Sequence, residues 1–303
     1  MESKKVNQSK ILMALSMAVF GSIGIFRRYI DLPSDVIALA RAVIGTAFLL
    51  FVVLIKKDKL DFNAIRKNGK YLVLSGIFIA FNWILLFEAY CYTTVATATL
   101  CYYMAPIFLV LAAPLFLKEN LSFIKIVSLI IAFTGMVLVS GIIKTGFGNT
   151  SELKGVFLGL GAAVLYASVM ILNKKIRDIN AYYKTIVQLS VSAISLLPYT
   201  FIMQKGSDLS VNKTEVLMLL IVGIIHTGAS YAMYFGSMSN LKAHTIAMYS
   251  YIDPILAIVL SALILKEKIG FAEIIGAVLI LGGTLISDTE LIEMLKIKLI
   301  KHK

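Results

Sequence analysis

Apolar residues run through this chain in ten long stretches parted by short polar connections, at roughly 11–30, 34–55, 71–91, 95–116, 122–142, 155–173, 182–203, 215–235, 244–265 and 270–287. Stretches of about 20 apolar residues predict helices that cross a bilayer. The first ends in Arg27-Arg28 rather than at a small-residue cleavage site and has a counterpart in the second half, which argues against a cleaved signal peptide. The connections are too short to hold a soluble domain.

The pattern repeats. CYYMAPIFLVLAAPLFLKENLSFIKIVSLIIAFTG, from Cys101, aligns without a gap on YSYIDPILAIVLSALILKEKIGFAEIIGAVLILGG, from Tyr249. Tyr103, Pro106, Lys118, Glu119 and Gly135 thereby fall on Tyr251, Pro254, Lys266, Glu267 and Gly283. Hydrophobicity alone places neither a proline nor a charge pair in register, so the chain reads as a duplication. Beyond that stretch, Asn82-Trp83 falls on Ser230-Tyr231, Arg27-Arg28 on Lys174-Lys175 and Arg41 on Gln188. The predicted fold class is an all-α integral membrane protein of ten transmembrane helices in two five-helix repeats, residues 1–148 and 149–303, the second carrying a basic tail. Five is odd, so the second copy must run the opposite way and the repeats are expected to be inverted, the architecture of alternating-access carriers. The break falls in the polar loop from Lys144 to Gly155.

Composition agrees with the membrane reading. Hydrophobic residues make up 59% of the chain and charged ones only 15%, too apolar for an ordinary soluble domain. The net charge of +12 would suggest nucleic acid in a soluble protein. Here the basic residues fall in alternate loops: nineteen lie on the side of both termini (Lys4, Lys56, Lys70, Lys174 and Lys296 among them), against eight on the other (Arg27, Arg28 and Lys266 among them). That asymmetry predicts a multi-pass cell-membrane protein with both termini cytoplasmic. Cys91 and Cys101 sit in or beside apolar spans, so neither a disulfide nor a metal site is expected.

The Arg of ALARAVIG, the short connection in EAYCYTTVATATL, the proline in YYMAPIFLVL and YIDPILAIVL and the Leu-Lys-Glu closing each of those spans make the chain resemble the EamA-type branch of the drug/metabolite transporter superfamily. The resemblance covers nearly the whole chain. It implies a secondary carrier of small metabolites, commonly amino acids and related compounds, often in the direction of export.

Candidate chemistry lies at mid-depth, where an unpaired polar group costs several kcal/mol. The span midpoints fall near Phe81, Ala105, Ile225 and Pro254, so Asn82, Trp83, Tyr102, Tyr103, His226, Tyr249 and Asp253 lie near the bilayer centre. Asp253 is the foremost candidate: a carboxylate there is either a proton or cationic-substrate site, or a protonated group bonded to a neighbouring helix. Tyr249, one turn earlier, is expected to share its face. His226 is either a packing residue or a partner for a substrate carboxylate or for Asp253. Glu88 is interfacial, paired with Arg41, or a ligand for a substrate ammonium. Arg41 itself reads first as structural and second as an anion-recognition group. Pro106 and Pro254 release the carbonyls of Tyr102 and Ser250 for a substrate or a hinge. Tyr102, Tyr103, Tyr231, Tyr249, Tyr251 and Trp83 gather aromatic rings at one depth, which together with a carboxylate suit a cation-accepting pocket.

The substrate-binding set is therefore expected to be Asn82, Trp83, Glu88, Tyr102, Tyr103, His226, Tyr231, Tyr249 and Asp253, with Asp253 the proton-coupling group. No catalytic residue, cofactor or metal is expected. The partners expected are a small-molecule substrate and the lipid bilayer, without nucleic acid, the chain acting as a monomer or homodimer. The functional reading is a proton-coupled or exchange carrier of a small zwitterionic or cationic metabolite, working by alternating access. A channel, an intramembrane enzyme, and a lipid flippase or non-transporting scaffold are the alternatives.

Overall fold

The computed structural model describes residues 2–56, 61–116, 123–139, 150–207, 209–238, 241 and 249–287. Lys118, Glu119, Lys242, the loop at 144–149 and the basic tail lie outside the described residues. Among those described, the regular structure is helical throughout. The helices are α1 (Glu2–Arg28), α2 (Ser34–Ile55), α3 (Phe62–Lys67), α4 (Gly69–Tyr92), α5 (Val95–Tyr102), α6 (Ala105–Phe116) and α7 (Phe123–Val139). They continue as α8 (Thr150–Lys175), α9 (Ala181–Met203), α10 (Lys213–Ile221), α11 (Ser230–Met238), α12 (Ile252–Ile264) and α13 (Phe271–Ser287), with a π-helical segment, Val222–Ala229, joining α10 to α11.

Among the described residues, seven helical segments are long and apolar enough to cross a membrane: Lys5–Arg28, Ser34–Ile55, Gly69–Tyr92, Val95–Phe116, Thr150–Lys175, Ala181–Met203 and Lys213–Tyr234. Three shorter apolar helices, Phe123–Val139, Ile252–Ile264 and Phe271–Gly283, stand where the other three spans are expected. Leu54, Phe157, Phe201 and Val278 are exposed on the outside of the bundle, where lipid tails would cover them. Local signals set several helix starts. Asp61 caps α3, Thr94 caps α5 by accepting from the Thr97 N–H, and Asn212 and Glu215 form a reciprocal capping box at α10.

The interior has two apolar clusters. One is built on Ile37, Leu49, Trp83, Phe87, Tyr90 and Leu189; the other on Leu100, Met104, Ile107, Leu129, Ala132 and Ile280. Glycines let helices approach closely, as expected where no hydrophobic effect drives helices together. A Cβ on Gly135 would stand 2.6 Å from the Gly276 carbonyl oxygen, and one on Gly283 would stand 2.9 Å from that of Ser128. Each residue of the first pair lies 148 positions from one of the second. The same reciprocity holds elsewhere: a Cβ on Gly76 would meet the Val191 Cβ at 2.7 Å, and one on Gly223 the Ile44 Cβ at 2.5 Å, with 147 positions separating the members. At the level of helices, α4 packs on α8 and α1 on α11, while α4 packs on α9 and α2 on the π segment.

Candidate functional site

The site forms where two spans break. The α5 helix ends at Tyr102, and Tyr103 (φ −70°, ψ 0°) and Met104 form a turn before α6 begins at Ala105. In the second half Ser250 is helical, Tyr251 (φ −73°, ψ −11°) is the turn, and α12 begins at Ile252. The two breaks fall on the tyrosines that match in the repeat. Pro106 and Pro254 sit in the first turn of α6 and α12, where the missing N–H removes no intrahelical bond. In the first span α5 and α6 thus stand end to end instead of forming one helix kinked at a central proline. Tyr103 exploits the second break: its hydroxyl donates to the Ser250 carbonyl oxygen at 3.1 Å.

Asp253 is the second residue of α12 and is half-buried. Its carboxyl interacts with the Tyr103 side chain and lies close enough to Arg41 to feel its charge. Gly21 lets α1 press against the Asp253 backbone, since a Cβ there would overlap the Asp253 carbonyl oxygen. Tyr90, Tyr102, Tyr166 and Tyr231 all lie within electrostatic range of the same carboxyl. The turn at Tyr251 stands between Tyr249 and Asp253.

Arg41, on α2, is only 5% exposed. Its Nε donates to Thr227 Oγ1 at 2.7 Å, and its guanidinium carbon lies 4.0 Å from the centre of the Trp83 ring and 5.7 Å from that of Phe87. The π-helical segment aims Thr227. The wider turn leaves carbonyls five residues back within reach, so the Thr227 hydroxyl donates to the Val222 carbonyl at 3.1 Å while accepting from Arg41. Ser230 likewise donates to the Ile225 carbonyl at 2.8 Å. His226, on the same segment, is 1% exposed. Its Nε2 stands 3.0 Å from Ser22 Oγ and its ring 4.5 Å from that of Phe26, so its neighbours are α1 side chains and not Asp253.

Aromatic rings surround this polar centre. Tyr102 stacks on Tyr166 at 5.3 Å and meets Tyr103 edge-on at 6.4 Å. Phe20 packs on Tyr231 at 5.3 Å and Tyr234 at 6.4 Å.

Of the residues expected to bind substrate, Tyr102, Tyr103, Tyr231 and Asp253 come together, with Trp83 behind Arg41 and His226 one residue from Thr227. Asn82 instead ties α4 to α8, its Nδ2 donating to the Ala162 carbonyl at 2.6 Å. Glu88 also stands apart: it accepts from Ser34 Oγ at 2.8 Å and lies near Arg27, not Arg41. Thr227, Tyr166 and Phe20 belong to the cluster although sequence reasoning did not select them. Tyr166 offered the same signal as Tyr102, a tyrosine deep inside a span. A depression of about 480 Å³ lined by Leu85, Leu153, Lys154 and Phe157 is formed by other residues and holds none of this cluster.

A second polar group joins the ends of helices. Arg28 pairs with Glu267 at 3.1 Å and donates to the Thr93 carbonyl at 2.8 Å. The Val95 N–H donates to Glu267 Oε2 at 3.0 Å, and Ser261 Oγ also donates to this carboxylate. Lys266 makes that placement possible by turning left-handed (φ 55°) after α12, which returns the Glu267 N–H to the Ser261 carbonyl at 3.2 Å.

Comparison with known proteins fits this geometry. The EamA-like transporter family model matches twice, over residues 8–141 and 153–287. The chain is similar to the uncharacterized transporter YxxF of Bacillus subtilis (strain 168), at 31% identity over 93% of this chain and 89% of that one. An uncharacterized transporter of Clostridium kluyveri is 30% identical over 77% of this chain and 75% of its own, and Protein RarD of Salmonella typhi 22% identical over 89% and 90%. A solved crystal structure at 17% identity shares the fold, with a TM-score of 0.65 over 95% of this chain and 99% of that one. Two copies of one transporter domain, apolar spans and relatives named as transporters over most of their length make this chain an integral membrane protein of the EamA-like transporter family, within the drug/metabolite transporter superfamily.

Proposed function

We propose that this protein is a secondary carrier that moves a small zwitterionic or cationic metabolite by alternating access, coupled to protons or to exchange. The observation that carries it is Asp253. A carboxyl is held at a break between helices, against the Tyr103 side chain, ringed by tyrosines and within reach of Arg41's charge without pairing to it among the described residues. Acidic side chains inside membrane spans are rare and mark substrate or proton pathways. Aromatic faces beside a carboxylate suit an ammonium, and broken helices expose backbone where carriers bind.

The reciprocal contacts support the inverted-repeat part of the reading. When residue i of one copy meets residue j of the other, and j's counterpart meets i's, the copies are related by a two-fold axis. Gly135 with Gly276 and Gly283 with Ser128 obey that rule, as do Gly76 with Val191 and Gly223 with Ile44. On this reading α5 with α6, and the residues leading into α12 with α12 itself, each complete one crossing, so ten crossings arise and both termini are cytoplasmic. The halves rock about a centre near Asp253.

Purified protein in liposomes tests the transport claim. Saturable uptake of a labelled amino acid, accelerated by the same unlabelled compound inside, is the expected result. Flux that rises linearly with concentration and ignores internal substrate would indicate a channel.

A further inference from the structure

We infer that the terminal amino groups of Arg41 bind a carboxylate on the transported molecule, which makes the substrate a zwitterion rather than a simple cation. The inference rests on the carrier reading above and names the residue that sets its specificity. A guanidinium carries five N–H donors, and Nε uses one on Thr227. Among the described residues the two terminal nitrogens meet no acceptor. Nor are they sealed, for the fully enclosed unpartnered polar atoms among those residues are Arg27 Nε, Thr93 Oγ1 and Thr200 Oγ1. Among the described residues, therefore, the fork of Arg41 is unbonded and faces space, while Trp83, Phe87 and Thr227 fix its stem and plane.

Asp253 does not fill that space. The two side chains sense one another's charge but make no ion pair, an arrangement that leaves opposite charges apart in a largely apolar interior. Such charges are normally paired, because one left without a partner is strongly destabilising. A small molecule with a carboxylate at one end and an ammonium at the other satisfies both. Gln188, the position that Arg41 matches in the repeat, shows what a purely structural residue does at this place. Its Nε2 donates to Ser75 Oγ at 2.6 Å and to Asn173 Oδ1 at 2.7 Å, so both of its N–H donors are satisfied within the protein. The guanidinium is not, and its fork matches a carboxylate with two parallel bonds as no lysine can.

The test compares each of the twenty common L-amino acids with its α-amide, in which the carboxylate is neutral while the ammonium and side chain are kept. Thermal stabilisation and counterflow in liposomes are measured for wild type, Arg41→Gln and Arg41→Lys. The expected result is at least one amino acid that acts ten- to a hundredfold more strongly than its amide, a gap that Arg41→Gln removes and Arg41→Lys retains in part. If Arg41→Gln does not fold, the comparison in wild type and Arg41→Lys still decides. An amide that binds and moves as well as its acid overturns the role of Arg41 and leaves the carrier reading standing. Silence of every acid and every amide in wild type overturns both.

Discussion

The hydroxyl of Tyr103 donates to the carbonyl of Ser250, so the broken span of one half is tied directly to the broken span of the other. That bond, and the same side chain's contact with Asp253, join the repeat's two matched interruptions at the proposed centre of transport. Tyr103→Phe keeps the ring and removes the tie. The expected loss is about 1 kcal/mol of stability with a larger relative loss of transport, measured as melting temperature in detergent and counterflow in liposomes. Unchanged transport would make the tyrosine a packing residue.

Where α7 meets α13 the contact is made backbone to backbone. Gly276→Val should destabilise by about 1–3 kcal/mol or more through overpacking, because a Cβ there would lie 2.6 Å from the Gly135 carbonyl oxygen. Gly282→Ala meets open space on the same helix and should be tolerated. Size-exclusion profiles and melting temperatures of the two variants decide, and equal behaviour would contradict the packing described.

Glu267 should act in structure, not in binding. Glu267→Gln loses the half-exposed pair with Arg28, which is worth up to about 1 kcal/mol, yet keeps an acceptor for the Val95 N–H. Glu267→Ala loses the acceptor as well and should cost about 1 kcal/mol more. Melting temperatures are expected to fall in the order wild type, Gln, Ala, with the affinity of the surviving protein for substrate unchanged. A selective loss of affinity would place Glu267 in the substrate path.

Topology is open to a direct check. Reporter fusions after Arg28 and after Thr93 should fall on the side opposite to one after Lys303, with Lys303 cytoplasmic. The opposite result would reverse the orientation drawn from the basic residues.

Much of this architecture was legible because hydrophobic length and the in-register repeat are strong, redundant signals: the seven membrane-length helices, and the matching of Tyr103 with Tyr251, came from spacing alone. What a helix does at a proline was less legible, since the same residue serves a kink or a first turn and only the backbone on either side decides. Arg41 was visible as a lone cation within a span, but its partners, Trp83 and Thr227, come from other helices and no local pattern joins them. The π-helical segment left no mark that hydropathy could register, although it is what aims Thr227 at Arg41. Glu88 was less legible for the same reason: an acidic residue near a span's end has no fixed partner until α1 and α2 supply Arg27 and Ser34.

On the proposed mechanism, Asp253 is the group through which substrate movement is coupled to protons. Asp253→Asn imitates the neutral form and keeps the shape and the hydrogen-bonding capacity toward Tyr103. Uptake of an amino acid that wild type transports is measured in liposomes with and without an imposed pH gradient, alongside exchange at equal pH. The Asn variant is expected still to exchange substrate but no longer to concentrate it when the gradient is applied; a variant that concentrates substrate with the pH dependence of wild type would remove Asp253 from proton coupling.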